Sequence, residues 1–414
     1  MNKTNPNNNP FEAFSNKEFK YFIGGRFIFI MGLRMTSTII GWWVYTLTNS
    51  PLALGLVGLS EVVAALSFAL YAGHYIDRNE NRNLLLKCII LYMCCILILL
   101  FLSDPDVVNA NHPWTTASLI FVVIAFTGAI RAFSGPTFSS LISKIVHKKQ
   151  LPSAATISSA TWLTGSIIGH AMGGFFIAMV GIHFSFVVVL IFVISGYLLL
   201  RNLRSKPVIV HVAQNTWHSV KEGIDYVFKT KELLGALSLD LFAVLFGGAA
   251  AMVPIFAKDI LNAGPTGFGW LNAATDIGSI IMVTTLTFFP LQRKQGRLLF
   301  YSIAGFGICI IIFALSKVFW LSFLALMISG CMDGVSVVIR GTILQLKTPD
   351  ELRGRVMSVN SMFINSSNEL GQFESGMMAK LVGIVPSVIF GGCMTIGVVV
   401  ATWFKAPALK EMEY

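Results

Sequence analysis

Charge is scarce in this sequence. Only 12% of its 414 residues are Asp, Glu, Lys or Arg, about half the share of a soluble globular domain, so most of the chain is not made to face water. Metal-ligand patterns are also missing. The six cysteines (Cys88, Cys94, Cys95, Cys309, Cys331, Cys393) lie inside or at the edge of apolar runs. None has ligand partners at a recognisable spacing, and no disulfide framework is implied; they read as small buried apolar residues. There is no H-E-x-x-H, no G-x-S-x-G, no phosphate-binding glycine loop and no His-rich set. No cofactor and no metal are therefore expected, direct drive by ATP is disfavoured, and an integral membrane enzyme becomes the weakest reading. The first 19 residues are polar and Asn-rich, without the layout or cleavage site of a secretory leader. They are expected to be a short cytoplasmic tail.

What the chain has is apolar length. Hydrophobic residues make up 55% and the mean hydropathy is +0.73. A membrane helix needs about 20 mostly apolar residues. Twelve candidate spans meet that need: 20–47, 52–75, 84–103, 115–138, 153–180 and 183–201, then 233–257, 267–290, 298–317, 319–342, 356–379 and 384–403. The net charge of +10 does not indicate a nucleic-acid partner, because the basic residues sit in short loops between the apolar runs. With both termini in the cytoplasm, 23 of the 30 Lys+Arg fall on that side, while Lys258, Lys317 and Lys380 fall outside. That is the positive-inside asymmetry, and it predicts a multi-pass protein of the inner membrane.

The polar stretch 202–232 divides six spans from six. Its second part places Trp217, Val220, Ile224 and Val227 on one helical face, which predicts an interfacial helix. The expected organisation is a tail over 1–19, a bundle over 20–201, a central loop over 202–232, a second bundle over 233–403 and a tail over 404–414. The halves echo each other. Pro51 and Pro265 are 214 residues apart; Glu61 and Asp276, Arg78 and Arg293, and Arg82 and Arg297 are each 215 apart. Gly169 with Gly371 and Gly174 with Gly376 repeat at 202. Internal repeats of this kind mark transporters, with the substrate site near mid-membrane between the halves.

After the second span the sequence reads G-H-Y-I-D-R-N-E-N-R, Gly73 to Arg82. This resembles the loop signature G-x-x-x-D-R-x-x-x-R of the major facilitator superfamily, in the expected place. There Gly73 is expected to allow a close helix approach, Asp77 to cap a helix of the other half, and Arg78 and Arg82 to pair across the cytoplasmic seam. These contacts would form a gate that breaks when the protein opens inward. In the second half Gln292 stands at the Asp77 position. Arg131 with Gly135 is similar to the family's R-x-x-x-G element, which is linked to proton transfer. Gly165, Gly169, Gly173 and Gly174 resemble the antiporter signature of the fifth helix, except that His170 stands at its Pro position. WWVYTLTNSPLALGLVG, RAFSGPTFSSLI, SLDLFAVLFGG, SVVIRGTILQLKTPDELRGRV and NELGQFESG are similar to the exporter branch that includes enterobactin exporters and macrolide efflux proteins. The resemblance covers nearly the whole chain. It implies an all-α fold of twelve transmembrane helices in two pseudo-symmetric six-helix bundles.

A charge at mid-membrane costs about 2.5–3.5 kcal/mol or more, so those retained are candidates for function. The spans hold six carboxylates, Glu61, Asp240, Asp276, Asp333, Glu369 and Glu374, and four arginines, Arg26, Arg34, Arg131 and Arg340. Arg34 is either a site for an anionic group on the cargo or half of a buried ion pair. Arg26 and Arg340 lie near span ends and are expected to snorkel. Arg34, Arg131, Asp333 and Glu369 are the cavity candidates. Proton coupling needs a buried carboxylate that gains and loses a proton; Asp333 and Glu369 come first, followed by Asp240, Glu61, Asp276 and Glu374, with Arg131 assisting. Each could equally be a helix-packing hydrogen bond. Asp333 and Arg340 are about 10 Å apart along a helix, so each needs another partner, and Glu369 and Glu374 point about 140° apart, so at most one lines the cavity. His170 is either a titrating group or a hydrogen bond between helices. Trp42, Trp43 and Tyr45 fit an interfacial aromatic belt or a stack on the cargo.

These features predict a monomeric transporter that exports a small molecule, siderophore-like or drug-like, by proton antiport and alternating access. The alternative is an uptake facilitator or proton symporter for a nutrient or metal.

Overall fold

The computed structural model describes residues 12–205, 216–291 and 293–413. The N-terminal tail to Phe11, the loop 206–215, Gln292 and the side chains of Asp77, Trp217 and Val220 lie outside that description. The expected Asp77 cap and the Gln292 counterpart thus lie outside the described residues.

Among the described residues the chain is wholly helical. The first half contributes α1 (Lys17–Thr48), α2 (Pro51–Arg78), α3 (Asn81–Leu102), α4 (Pro113–Ile145), α5 (residues 151–180) and α6 (residues 182–201). After α7 (Thr216–Lys229) the second half contributes α8 (Lys231–Phe246), α9 (Gly264–Phe288), α10 (Gln295–Leu315), α11 (Phe319–Lys347), α12 (Asp350–Val382) and α13 (Ile384–Lys405). Except for α7, each is one crossing of the twelve read from the sequence. Helices are what lipid permits, because every backbone N–H and C=O must be satisfied within the segment. Their outer faces carry exposed apolar side chains such as Leu91, Phe126, Ile191 and Leu324, which suit acyl chains and would be misplaced in water.

Local sequence sets the breaks. Asn16 caps α1, its Oδ1 accepting from Glu18 N at 2.9 Å, and Pro51 starts α2. Gly181 (φ 79) separates α5 from α6, and Gly383 (φ 95) separates α12 from α13. Both need the left-handed region that favours glycine, and they stand 202 positions apart, the offset already seen in the glycine echoes.

The seventh crossing corrects one expectation. The sequence predicted an unbroken span over 233–257, but α8 ends at Phe246. The chain then runs through Gly247 and Gly248, a 3-10 turn (Ala249–Met252) and Val253–Ile255 into a π-turn (Phe256–Ile260). A Cβ on Gly248 would lie 2.5 Å from Gly371 O of α12, so two backbones meet there. Irregular backbone at this depth is tolerated where it lines a cavity, and Gly247, Gly248 and Ala251 do so.

The internal repeat becomes packing. In the first half α1 lies on α5, α2 on α4, and α3 on α6; in the second α8 lies on α12, α9 on α11, and α10 on α13. Two seams join the halves, α5 with α9 and α2 with α12. A Cβ on Gly174 would lie 2.3 Å from Pro265 O and 2.9 Å from Gly269 Cα. At the other seam a Cβ on Gly376 would lie 2.8 Å from both Pro51 O and Gly55 Cα. The glycine and proline echoes are therefore one contact made twice. Gly165, Gly169 and Gly173 serve a different face: added Cβ atoms would strike Ile30, Met31 or Arg34, and Thr38 of α1. Without a hydrophobic drive between helices in lipid, such close approach is what holds them together.

The two ends of the bundle differ. At the end away from the chain termini the halves are joined. Tyr45 Oη donates to Asp259, Lys258 Nζ donates to Asn49 Oδ1 at 3.0 Å, and Trp42 stacks on Phe268 with ring centres 5.9 Å apart. Trp42, Trp43 and Tyr45 are buried, so they close this end rather than form the aromatic belt allowed by the sequence. At the terminus-bearing end Gly73, Gly135, Gly341 and Gly354 each face open space, with nothing within 4 Å of an added Cβ. Gly73 thus marks no close approach here. Arg82 donates to Arg201 O at 2.7 Å within its own half, and among the described residues Arg78 makes no ion pair. Among the described residues, the expected pairing across this seam is not seen.

Candidate functional site

A cavity of about 320 Å³ lies between the halves. Arg34 and Ser37 of α1 and His170 of α5 reach it from the first half. Asn272 and Asp276 of α9, Ser329 and Asp333 of α11, and Asn368 and Gln372 of α12 reach it from the second. Phe268, Leu271, Phe306, Ile310 and Leu326 supply apolar wall. A largely apolar pocket with a few converging polar groups is the usual form of a small-molecule site.

Arg34 is the cation on this wall. Its guanidinium lies 5.0 Å from the centre of the Trp162 ring. Among the described residues no carboxylate oxygen stands within ion-pair distance of it, and Asp276 is the carboxylate that acts most strongly on it. Asp276 of α9 is bound across the α5–α9 seam: Ser166 Oγ donates to its Oδ2 at 2.6 Å, and His170 Nε2 stands 3.9 Å from the same oxygen. His170 Nδ1 and Thr38 Oγ1 share a hydrogen bond of 2.8 Å. His170 is therefore a link among α5, α1 and α9 at the cavity edge. Asp333 lines the cavity and makes neither hydrogen bond nor ion pair among the described residues.

A second cluster spans the other seam; its charged groups are not among the residues lining the cavity, but Gln372, which bonds one of them, is. Arg131 of α4 pairs with Glu61 of α2, and its Nη1 is also 3.6 Å from Glu369 Oε1 of α12. Gln372 Nε2 donates to the other oxygen of Glu369 at 2.9 Å. One cation thus faces one carboxylate from its own half and one from the opposite half. Close packing sets this up, because a Cβ on Gly128 would lie 2.4 Å from Glu61 O and one on Gly58 would lie 2.8 Å from Glu369 O. Of the cavity candidates read from the sequence, Arg34 and Asp333 line the cavity. Arg131 and Glu369 do not, and Glu374 takes part in neither cluster.

Asp240 and Arg340 form a third group, a buried pair between α8 and α11, with Arg340 Nε donating to Ser336 Oγ at 3.2 Å. Snorkelling of Arg340 is thereby corrected. The guanidinium turns inward because Asp240 offers a charge-assisted bond. Arg26 also stays within the bundle, donating to Ser158 Oγ at 2.5 Å beneath Phe138.

Sequence reasoning missed Ser166, Trp162, Thr38 and Gln372. A signal existed: His170 and Gln372 are 202 apart, as are Ser166 and Asn368 and, with charge reversed, Arg131 and Asp333.

Two bundles of this topology around a polar cavity, joined at one end, are the architecture of a membrane transporter. The chain belongs to the major facilitator superfamily, and a family model described as transmembrane secretion effector matches residues 8–414. It is similar to an uncharacterised MFS-type transporter, YfmI, of Bacillus subtilis (strain 168), 20% identical over 367 residues, 86% of this chain and 88% of that one. It is also similar to the enterobactin exporter EntS of Shigella flexneri, 24% identical over 345 residues, 82% and 79% of the two chains. Among solved structures, a variant of the nucleoside transporter NupG superposes with a TM-score of 0.74 at 15% identity, covering 95% of this chain and 100% of that one. A D-xylose–proton symporter gives 0.73 at 13%, covering 97% and 100%. These relatives are transporters, and the chain is a transporter rather than an enzyme.

Proposed function

We infer that the chain exports a small molecule across the bacterial inner membrane in exchange for protons, with both termini in the cytoplasm. The observation that carries this reading is the Glu61–Arg131–Glu369 cluster on the α2–α12 seam. With Glu369 ionised, Arg131 ties the halves together while the bundle is open towards the termini. A proton on Glu369 removes that cross-half attraction and leaves Arg131 to Glu61. By linkage, the state with the far end open then binds the proton more tightly, and the state open to the cytoplasm releases it. Cargo enters from the cytoplasm or inner leaflet while the carboxylate is ionised, outward opening discharges it and admits a proton, and the inward proton drives the return.

Cargo sits in the cavity with an anionic group on Arg34, whose charge no protein carboxylate engages directly. Similarity to enterobactin exporters supports export of a siderophore-like compound, and a drug-like cargo is the other form this reading takes. The test is substrate accumulation in a deletion strain, with siderophore and drug panels run together. Export should fail when the proton gradient is collapsed, and export that persists unchanged counts against the exchange. Uptake by proton symport is the second reading, favoured by His170 at the family's Pro position. Counterflow in inverted vesicles separates the two.

A further inference from the structure

The charges on the cavity wall are sorted by half. Arg34, the cation, comes from α1, while the carboxylates Asp276 and Asp333 come from α9 and α11. Their circumstances differ. Asp276 already accepts from Ser166 and faces His170. Asp333 accepts nothing among the described residues. The cation that acts on it is Arg340, which is engaged with Asp240. Arg34 and Asp333 come from opposite halves and form no ion pair with each other or with a third group among the described residues; Asp276 is the carboxylate that acts most strongly on Arg34. Between an uncommitted cation and an uncommitted carboxylate lies an apolar wall that includes Phe268, Phe306 and Leu326.

An ionised carboxylate in a medium of low polarity needs a counter-charge. A purely anionic cargo would supply none and would bring a like charge towards Asp276 and Asp333. The exporter reading gives the proton to the Glu61–Arg131–Glu369 cluster, none of whose charged groups is among the residues lining the cavity, and so leaves Asp333 to the cargo. We propose that the cavity is a site for a zwitterion. Arg34 takes an anionic group, Asp333 takes an ammonium or similar cation, and the body between them is apolar and aromatic. The inference rests on the exporter reading in taking this cavity as the cargo's place and the seam cluster as the proton's.

The test is binding to the purified full-length protein in detergent, followed by calorimetry. Three probes share one body whose charged ends stand apart: the dipeptide phenylalanyl-phenylalanine, its N-acetyl derivative lacking the ammonium, and its methyl ester lacking the carboxylate. The zwitterion should bind at least about tenfold more tightly than either blocked form, the worth of one charge-assisted bond. Asp333→Asn should bring the dipeptide and the N-acetyl form to equal affinity, and Arg34→Gln should do so for the dipeptide and the ester. Equal binding of N-acetyl form and dipeptide by the unaltered protein would overturn the proposal, meaning that Asp333 holds a proton and not cargo. Failure of all three to bind saturably would overturn it as well. The unaltered protein decides the matter without either variant. Proton exchange is read by flux in vesicles, so the exporter reading can fail or survive independently.

Discussion

Asp240 and Arg340 show what a buried charge demands of its neighbours. Both side chains are almost wholly enclosed, at 7% and 5% exposed. Removing one leaves the other unpaired in a poor solvent for ions, a loss of about 3–5 kcal/mol. Asp240→Asn should therefore lower the thermal midpoint of the detergent-solubilised protein markedly, and adding Arg340→Met should restore most of it. If the single variant melts like the parent, the pair carries no structural weight. The intramembrane charges were easy to find in the sequence because each is conspicuous in an apolar run. Their partners were not, since Arg340 meets Asp240 across 100 residues and nothing local announces it. Arg340 was read as snorkelling because its distance from the span end was visible and Asp240 was not. Outside the membrane, Lys347 Nζ donates to Glu232 Oε1 at 3.0 Å and holds that carboxyl below its usual range. The stabilisation is present above the unfolded pKa and fades as pH falls through the lowered folded value. Both groups are partly solvated, so Glu232→Gln should change stability by less than about 1 kcal/mol.

At the scale of elements, glycines decide how closely helices meet. The seams α5–α9 and α2–α12 close only because Gly174 and Gly376 carry no side chain. Gly174→Val should keep the far end from closing. A cysteine placed at Ser37, on the cavity wall, should then react faster with a membrane-impermeant thiol reagent added from the far side. Unchanged reactivity would mean that the seam does not govern that end. Tyr45→Phe, which removes the bond to Asp259, should have the same effect in weaker form. The helices themselves were legible, because span length and loop charge fix them. The break in the seventh crossing was not, although G-G-A-A-A-M-V-P in residues 247–254 carried the signal. Apolar composition hides a broken helix, since the residues that line the gap are themselves small and apolar. The central helix α7 is a further case. The described part of its apolar face includes Val227, which is fully buried among Ile343, Leu344 and Val356. Arg355 pairs with Glu222, and Tyr226 Oη donates to Lys347 O at 2.5 Å. These contacts join α7 to α11 and α12.

Over the whole molecule, symmetry carries the argument. The offsets of 202 and 214 residues relate contacts that recur at both seams. The chemistry set on that frame is not symmetric: Arg131 in one half stands where Asp333 stands in the other. In the reading proposed above, the cation shared across one seam serves proton exchange and the lone carboxylate on the cavity wall serves cargo, and each site draws on both halves. Sequence could list these groups but could not divide them, because membership of the cavity wall depends on which face of each helix meets the gap.

The link between proton and gate is open to direct measurement. Spin labels at Asn111 and Lys317, exposed positions at the far ends of α4 and α10, on a background with the native cysteines replaced, report the far-end opening by pulsed electron resonance. The account predicts a short distance at alkaline pH, a growing longer population on acidification, and the longer population at both conditions in Glu369→Gln. Distances that ignore pH in the parent, or a Glu369→Gln variant that titrates as the parent does, would contradict it.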